Sequence, residues 1–420
     1  MSTDLPADTR TTPVSARPVR NWQLAALGIA QFGIFVAILS PVFVSMQLKA
    51  QELNPGNPAA VIGAVLPIGA IGALIGNPLF GALSDRTKSR WGRRRPWLLG
   101  GIVALLAGLT WVSLSTSVFM LTIAWLVCQL ASNAASAALI ASFADNVPQI
   151  QRGRGSSVLA LSQNVSILAG TYGAVLLVNN LSVLFIAPGV IGVACVAVYV
   201  LITPDRRPAT PAPPFSFARL IGTFWTNPIK HPDFGLAWWS RFCMILSTFM
   251  FTTYRLLYMQ HQMGLDAQKA VTAVANGVLF YTIALLLGSV VSGWLSDKLH
   301  RRKIFVAGST VVFGIGLVIL AFAGSVHVFY IAEIIMGIAY GIYAAVDTAL
   351  VVDVLPDPDR PGKDLGVMNM ANSLPQSLAP ALGLLLLGIG GGNNYPVLLW
   401  GAGIVAVIGA AVVIPIRGVR

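Results

Sequence analysis

Charge is the scarcest commodity in this 420-residue chain: only 10% of its residues are Asp, Glu, Lys or Arg, against about 25% in a soluble domain. So little polar surface cannot face water all round, and an ordinary soluble fold is excluded. Cysteine is nearly absent. Cys128, Cys195 and Cys243 all fall inside apolar runs, supply neither a disulfide framework nor a metal-ligand spacing, and read as small packing residues. The four histidines, His231, His261, His300 and His327, are scattered near the ends of such runs. No His cluster, Ser-His-Asp set or metal spacing emerges, so neither an enzyme nor a cofactor is expected. The chain also lacks Gly-x4-Gly-Lys-Ser/Thr, so ATP is not expected to drive it. No cleavable signal peptide is expected either. Residues 1 to 20 are polar, and the run from Trp22 is too long for a signal's apolar region; it reads as a first span that inserts itself.

What is present is apolar sequence: 56% of residues are hydrophobic and the mean hydropathy is +0.76. Runs of about 20 residues, each able to cross roughly 30 Å of hydrocarbon, recur along the whole chain. Twelve spans are expected, near 22–46, 59–83, 98–116, 118–144, 156–178, 182–203, 234–260, 270–295, 304–324, 327–352, 367–390 and 395–416. The net charge of +12 sits in the short loops between them, a placement set by membrane topology and not by nucleic acid. With both termini cytoplasmic, 23 of the 27 Lys and Arg fall on the inside, Lys49 and Lys269 alone lie in outside loops, and Arg241 and Arg255 lie within a span. That asymmetry is the positive-inside rule, and it predicts a multi-pass protein of the cell membrane.

The chain also repeats itself. Gly81-Ala-Leu-Ser-Asp85-Arg86-Thr-Lys88-Ser-Arg90-Trp-Gly-Arg93-Arg94-Arg95-Pro96 returns in shorter form as Gly293-Trp-Leu-Ser-Asp297-Lys298-Leu-His-Arg301-Arg302-Lys303, 212 residues later. Asp145-Asn-Val-Pro148, at the end of span 4, returns as Asp353-Val-Leu-Pro356 at the end of span 10, 208 residues later. Such a period fits duplication of a six-helix unit. Between the copies, segment 204–233 holds seven prolines, a composition of extended linkers; within it Phe215 to Trp225 has the pattern of a short amphipathic surface helix. The expected parts are a cytoplasmic tail 1–21, a six-helix bundle 22–203, the linker 204–233, a second bundle 234–416 and a tail 417–420.

Gly81, Asp85, Arg86 and the basic cluster 90–95, with their copy from Gly293 to Lys303, resemble the loop signature of the major facilitator superfamily, and the six-plus-six layout extends the likeness over essentially the whole chain. The wording from Ser84 to Trp97 is similar to the glycoside and sucrose cation-symporter branch. The resemblance implies an all-α membrane fold of two pseudo-symmetric bundles and alternating access to a central site. It also implies contacts that latch the cytoplasmic side when the site faces outward. Gly81, Asp85, Arg86, Arg90, Asp145, Gly293, Asp297, Arg301 and Asp353 are the candidate gate residues. Physically, Gly81 allows close helix packing, Asp85 can accept N–H bonds from a helix N-terminus, and Arg86 and Arg90 can pair with Asp145 and Asp353. For Arg93 to Arg95 the plainer reading is loop retention and contact with lipid phosphates.

Ionisable groups inside a bilayer are costly and mark function by default. Four lie away from span ends: Arg241 and Arg255 on span 7, Glu333 and Asp347 on span 10. Each pair is 14 residues apart, which returns to nearly the same helix face about 21 Å along the axis. Spans 7 and 10 run in opposite directions, so two ion pairs are expected, Arg241–Asp347 and Arg255–Glu333, with Tyr340 and Tyr343 on the same face. The alternatives are a purely structural pairing, or Arg255 reaching to the outer headgroups.

Amides follow helical spacing elsewhere: Gln129 and Asn133 on span 4, Asn164 on span 5, and Asn369, Asn372 and Gln376 on span 11. With the aromatic residues of span 7, they suit a hydroxyl-rich ring, although interhelical amide bonds are also ordinary glue. The span 2 and span 4 carboxylates of sodium-coupled members of the resembled branch are missing. So is the span 4 Asp and span 5 Arg pattern of plant sucrose carriers. Any proton acceptor is therefore expected at Asp347 or Glu333. The expected protein is a monomeric secondary carrier that moves a small polar solute, sugar or glycoside in class, together with protons; export of drugs or amphiphiles is the alternative.

Overall fold

The computed structural model describes residues 19–205, 229–299, 301–356 and 361–417, with backbone alone at 297, 361–363 and 365. Most of the linker and its expected surface helix lie outside these residues. Twelve described helices are long and apolar enough to cross a bilayer. The first six are α1 (Asn21–Leu53), α2 (Pro58–Arg86), α3 (Arg95–Leu114), α4 (Val118–Asn146), α5 (Arg152–Leu177) and α6 (Leu181–Ile202). The second six are α7 (Pro232–His261), α8 (Ala267–Leu299), α9 (Arg302–Ala321), α10 (Val326–Asp353), α11 (Pro361–Gly388) and α12 (Tyr395–Val413). With an even number of spans, the described chain ends share one face, the terminal face; the α1–α2 and α7–α8 turns lie on the distal face.

Sequence signals start these helices. Asn57, Ser117, Asn180, Ser325 and Asn394 each accept a backbone N–H of the first turn of α2, α4, α6, α10 and α12, as small polar N-caps do. Inside the first bundle α2 packs on α4, α3 on α4 and α6, and α1 on α5 and α6. The second bundle repeats the scheme: α8 on α10, α9 on α10 and α12, α7 on α11 and α12. Between bundles α2 meets α11 and α5 meets α8, contacts that exchange under the pseudo-twofold axis. The structure is thus two related six-helix bundles, as the duplicated sequence implies.

Small residues set the closest approaches, because apolar burial gives helices no preference for one another over lipid. A Cβ at Gly341 would lie 2.1 Å from the Leu285 carbonyl oxygen, and one at Gly337 would lie 2.4 Å from that of Tyr281. These glycines hold α10 against α8. In the equivalent α2–α4 contact the glycine sits on the other partner: a Cβ at Gly69 would lie 2.4 Å from the Trp125 ring.

Two expectations change. The first span runs further than expected, to Leu53, and takes Lys49 out of its predicted loop. Lys49 is buried, donating to Glu52 at 2.9 Å and to the Ser113 carbonyl at 3.1 Å. The helix continues through a π turn, Pro41–Ser45; Pro41 has no N–H to give to the preceding turn, and the backbone widens around the gap. Gly81, expected to permit close packing, has nothing within 4 Å of a would-be Cβ, and the same holds at Gly293.

Replacing Gly341 by valine should force α8 and α10 apart. Overpacking of a close helix contact costs about 1–3 kcal/mol, so thermal unfolding in detergent should move to lower temperature. Gly81→Ala, where space is open, should leave it unchanged.

Candidate functional site

Helical periodicity brings one stripe of each participating helix to a common cavity. Positions 35, 38, 39, 42 and 43 of α1, 125, 129, 132, 133 and 136 of α4, and 366, 369, 370, 373 and 376 of α11 line it, the i, i+3, i+4 spacing of a single face. α2 contributes Leu66 to Pro78, and α5 and α7 add Gln163, Ile167, Phe249 and Thr253. The space measures about 720 Å³, ample for a small solute. On α2, α4 and α11 the lining spans the middle of each helix, with Phe43, Leu66 and Trp125 at its distal end, and beyond these the bundles are joined on the distal side by Gln51 with Gln260 and Tyr172 with Asn276.

No charged side chain lines this cavity among the described residues. Its polar groups are amides and hydroxyls from both bundles, among them Asn77, Gln129, Asn133 and Gln163 on one side and Thr253, Asn369, Asn372 and Gln376 on the other. Phe35, Phe43, Trp125 and Phe249 supply aromatic faces. Such walls can hydrogen-bond hydroxyls and pack against C–H surfaces, and they offer no counter-ion to a charged solute.

The intramembrane charges lie beside this cavity, not on its wall. Arg241 donates through Nε to Asp347 Oδ2 at 2.8 Å. Arg255 donates through Nη1 to Glu333 Oε1 at 2.9 Å, and both of these groups are almost fully buried. The expected pairs therefore exist, at two depths between α7 and α10. Arg255 also lies 5.9 Å from the ring centre of Phe43 and 5.8 Å from that of Phe251, close enough for cation–π attraction. Through Phe43 this pair stands directly behind the cavity surface.

Of the other expected site residues, Gln129, Asn133, Asn372 and Gln376 line the cavity. Asn164 does not. It is half-buried, bonded to the Ala160 carbonyl of its own helix, and its neighbour Gln163 takes the inward place because one residue turns a helix by about 100°. Tyr340 and Tyr343 also miss the wall. They pack within the second bundle, where Tyr340 meets Tyr281, Phe313 and Tyr343. Ser132, Ser136 and Ser373 were missed; hydroxyls among alanines give little signal, although each keeps the spacing of a neighbouring amide.

On the terminal face the acids find other partners than expected. Asp145 takes Arg93 at 2.7 Å and Arg94 at 3.0 Å, and Asp85 takes Arg94 at 2.6 Å. Asp353 takes Arg302, while Arg301 is exposed at the start of α9. Arg86 donates to the Ala82 carbonyl of its own helix and Arg90 is exposed. The cause is a tight reversal at Ser89–Gly92, which leaves Arg90 at the tip of the turn and brings Arg93 and Arg94 back over the ends of α2 and α4. The backbone N–H groups at the start of α3 go to Asp205, whose Oδ2 accepts from Arg94 N at 2.7 Å and Arg95 N at 3.0 Å. The side chain of Asp297 lies outside the described set.

A model of the Major Facilitator Superfamily matches residues 22–280 and again 270–419. The chain belongs to that superfamily. Among curated members, an uncharacterized symporter of Synechocystis is 43% identical over 90 residues, 21% of this chain and 16% of that protein. An uncharacterized transporter of Bacillus subtilis is 29% identical over 111 residues, 26% of this chain and 21% of that one. The chain thus spans well under a third of the length of these curated relatives. Solved structures share the fold over nearly full length. The nucleoside transporter NupG superposes with a TM-score of 0.76 at 13% identity, covering 94% of this chain and 99% of its own. A bacterial homologue of the human lysosomal transporter Spinster, solved inward-facing and unoccupied, gives 0.70 at 15% identity, covering 94% and 96%. This superfamily member thus combines twelve described helices able to cross a membrane with the fold of these structures.

The Arg255–Glu333 pair gives a stability test. Removing one partner strands a buried charge, a loss of about 3–5 kcal/mol, whereas replacing both by apolar groups is often neutral. Arg255→Leu should lower the unfolding temperature of the purified protein sharply, and Arg255→Leu with Glu333→Leu should restore most of it.

Proposed function

We propose that this chain is a secondary carrier that moves a small, neutral, polar solute, sugar or glycoside in class, together with protons by alternating access. The uncharged cavity lined by amides from both bundles is the observation that carries this reading. A charged solute would lose its hydration there without gaining a partner, whereas a ring of hydroxyls meets donors and acceptors on both sides. Both bundles contribute to the wall, so rocking one against the other would close the cavity on one face and open it on the other. The 23-to-2 partition of basic residues supports a cytoplasmic terminal face, so that the side joined by the distal cross-bundle bonds is the outer one.

For proton coupling we favour Asp347. Its arginine partner reaches it from α7, a helix that also contributes to the cavity wall, so a shift of α7 on solute binding would change the pairing and with it the carboxylate's hold on a proton. More than half of the lining residues are apolar, which supports a second reading, export of amphiphilic molecules.

Uptake into proteoliposomes separates the two. Labelled neutral sugars or glycosides should accumulate when an inward proton gradient is imposed and not without it. Amphiphile movement coupled to proton entry from the opposite side would favour the exporter. Asp347→Asn should abolish gradient-driven accumulation and spare solute exchange at equal pH; unchanged accumulation removes Asp347 from coupling. Gln129→Ala and Asn372→Ala should each raise KM by about five- to tenfold, the loss of one hydrogen bond to a neutral partner.

A further inference from the structure

Gln47 occupies an unusual position at the distal end of the inter-bundle seam. It lies on α1 just beyond the π turn, is almost fully buried, and its side-chain amide is held at both ends. The NH2 group donates to the Phe43 carbonyl at 3.0 Å. The carbonyl oxygen accepts from two consecutive backbone N–H groups of α7, Leu256 at 3.1 Å and Leu257 at 3.2 Å. A glutamine side chain thus crosses from one bundle onto the main chain of the other.

The π turn explains the arrangement. Its widened hydrogen bonding runs from Met46 N to the Pro41 carbonyl, five residues back, and so displaces the regular four-residue ladder. The Phe43 carbonyl is taken up by the Gln47 side chain, four positions on, and this bond turns the amide oxygen toward α7. Phe43 is also the residue whose ring lines the cavity and faces Arg255. One short segment of α1 therefore touches the solute space, the buried ion pair and the opposite bundle. Other cross-bundle hydrogen bonds at the distal end among the described residues are side chain to side chain, Gln51 with Gln260 and Tyr172 with Asn276, or reach the last turn of a helix, Gln268 to the Val175 carbonyl. Gln47 alone among these grips backbone within a helix of the second bundle.

We propose that Gln47 is the distal latch of the carrier, a positioning residue whose amide holds α1 to the α7 backbone while the cavity faces the terminal side, and whose release through the π turn opens the distal side. The requirement is for one acceptor and one donor on the same side chain at this reach, which an amide supplies and a thioether of equal length does not. Loss of the latch removes the bonds from Gln47 to the Leu256 and Leu257 N–H groups, which join the bundles only while the distal seam is closed. The distal-open state loses nothing by the substitution, so it gains relative weight.

The proposal rests on the alternating-access reading, and the test separates the two. Spin labels at Gly56→Cys and Gln262→Cys report separation across the distal face, and labels at Lys88→Cys and Lys298→Cys report separation across the terminal face. Both pairs are placed in the full chain carrying Cys128→Ala, Cys195→Ala and Cys243→Ala, reconstituted in lipid nanodiscs. Electron–electron double resonance should show the parent mainly distal-closed. Gln47→Met should raise the ratio of distal-open to distal-closed molecules about tenfold, the scale of two lost hydrogen bonds, with a matching shortening across the terminal face. Gln51→Met, which removes the neighbouring contact without touching Phe43, should shift the ratio less than half as much. Gln47→Asn, one methylene too short to span both partners, should act like Gln47→Met and serves if that variant does not reach the membrane folded. An unchanged ratio in both Gln47 variants, or an equal shift in Gln51→Met, overturns the latch. Distances on the two faces that never change reciprocally in any variant overturn the alternating-access reading instead.

Discussion

Two arginines on α7 can reside within the bilayer only because α10 offers a carboxylate at each of their depths. That constraint organises the second bundle. A guanidinium left alone in hydrocarbon costs several kcal/mol, so the antiparallel register of α7 against α10 is fixed at two points 14 residues apart on each helix. α10 is held in turn to α8 by glycines that allow backbone contact. The ion pairs and the glycine seam together tie α7, α10 and α8 to one another. The cavity lies along the other side of α7, with Phe249 and Thr253 on its wall.

The two bundles arose from one plan but divide the work. In the first, the face of α4 presents Trp125, Gln129 and Asn133 to the cavity. At the offset of 208 residues the corresponding positions of α10 are Glu333, Gly337 and Gly341. A ring and two amides on one side stand opposite a carboxylate and two glycines on the other. α10 has thus given up a place on the wall and taken on charge pairing and close packing. The neutral cavity follows from this division, because the membrane's charges are spent within the second bundle and away from the solute space.

Much of this was legible from residue order. The twelve spans, the duplication and the two ion pairs follow from apolar length, repeated loop wording and matched spacing, all of which depend on a helical period that the bilayer enforces. The amide stripes on α4 and α11 were legible for the same reason. Illegible were features that depend on local backbone detail. Arg90 and Arg94 differ by four positions in a basic run, and only the reversal at Ser89–Gly92 decides which of them meets the acids. Asn164 and Gln163 are neighbours of like chemistry, and the rotation of α5 decides which faces inward. Lys49 resembles a loop lysine until α1 is seen to continue past the π turn and bury it.

The bond from Asp205 to the first turn of α3 has a mechanical meaning. Asp205 closely follows the end of α6, where the chain departs for the second bundle, and Gly92 has φ of 110° with no room for a side chain beside that carboxylate. The described end of the first bundle is therefore fixed to the α2–α3 hairpin. The exit from the first bundle and the ionic clasp around Asp85 and Asp145 therefore share one anchor point, Arg94, which gives its backbone N–H to Asp205 and its guanidinium to both acids.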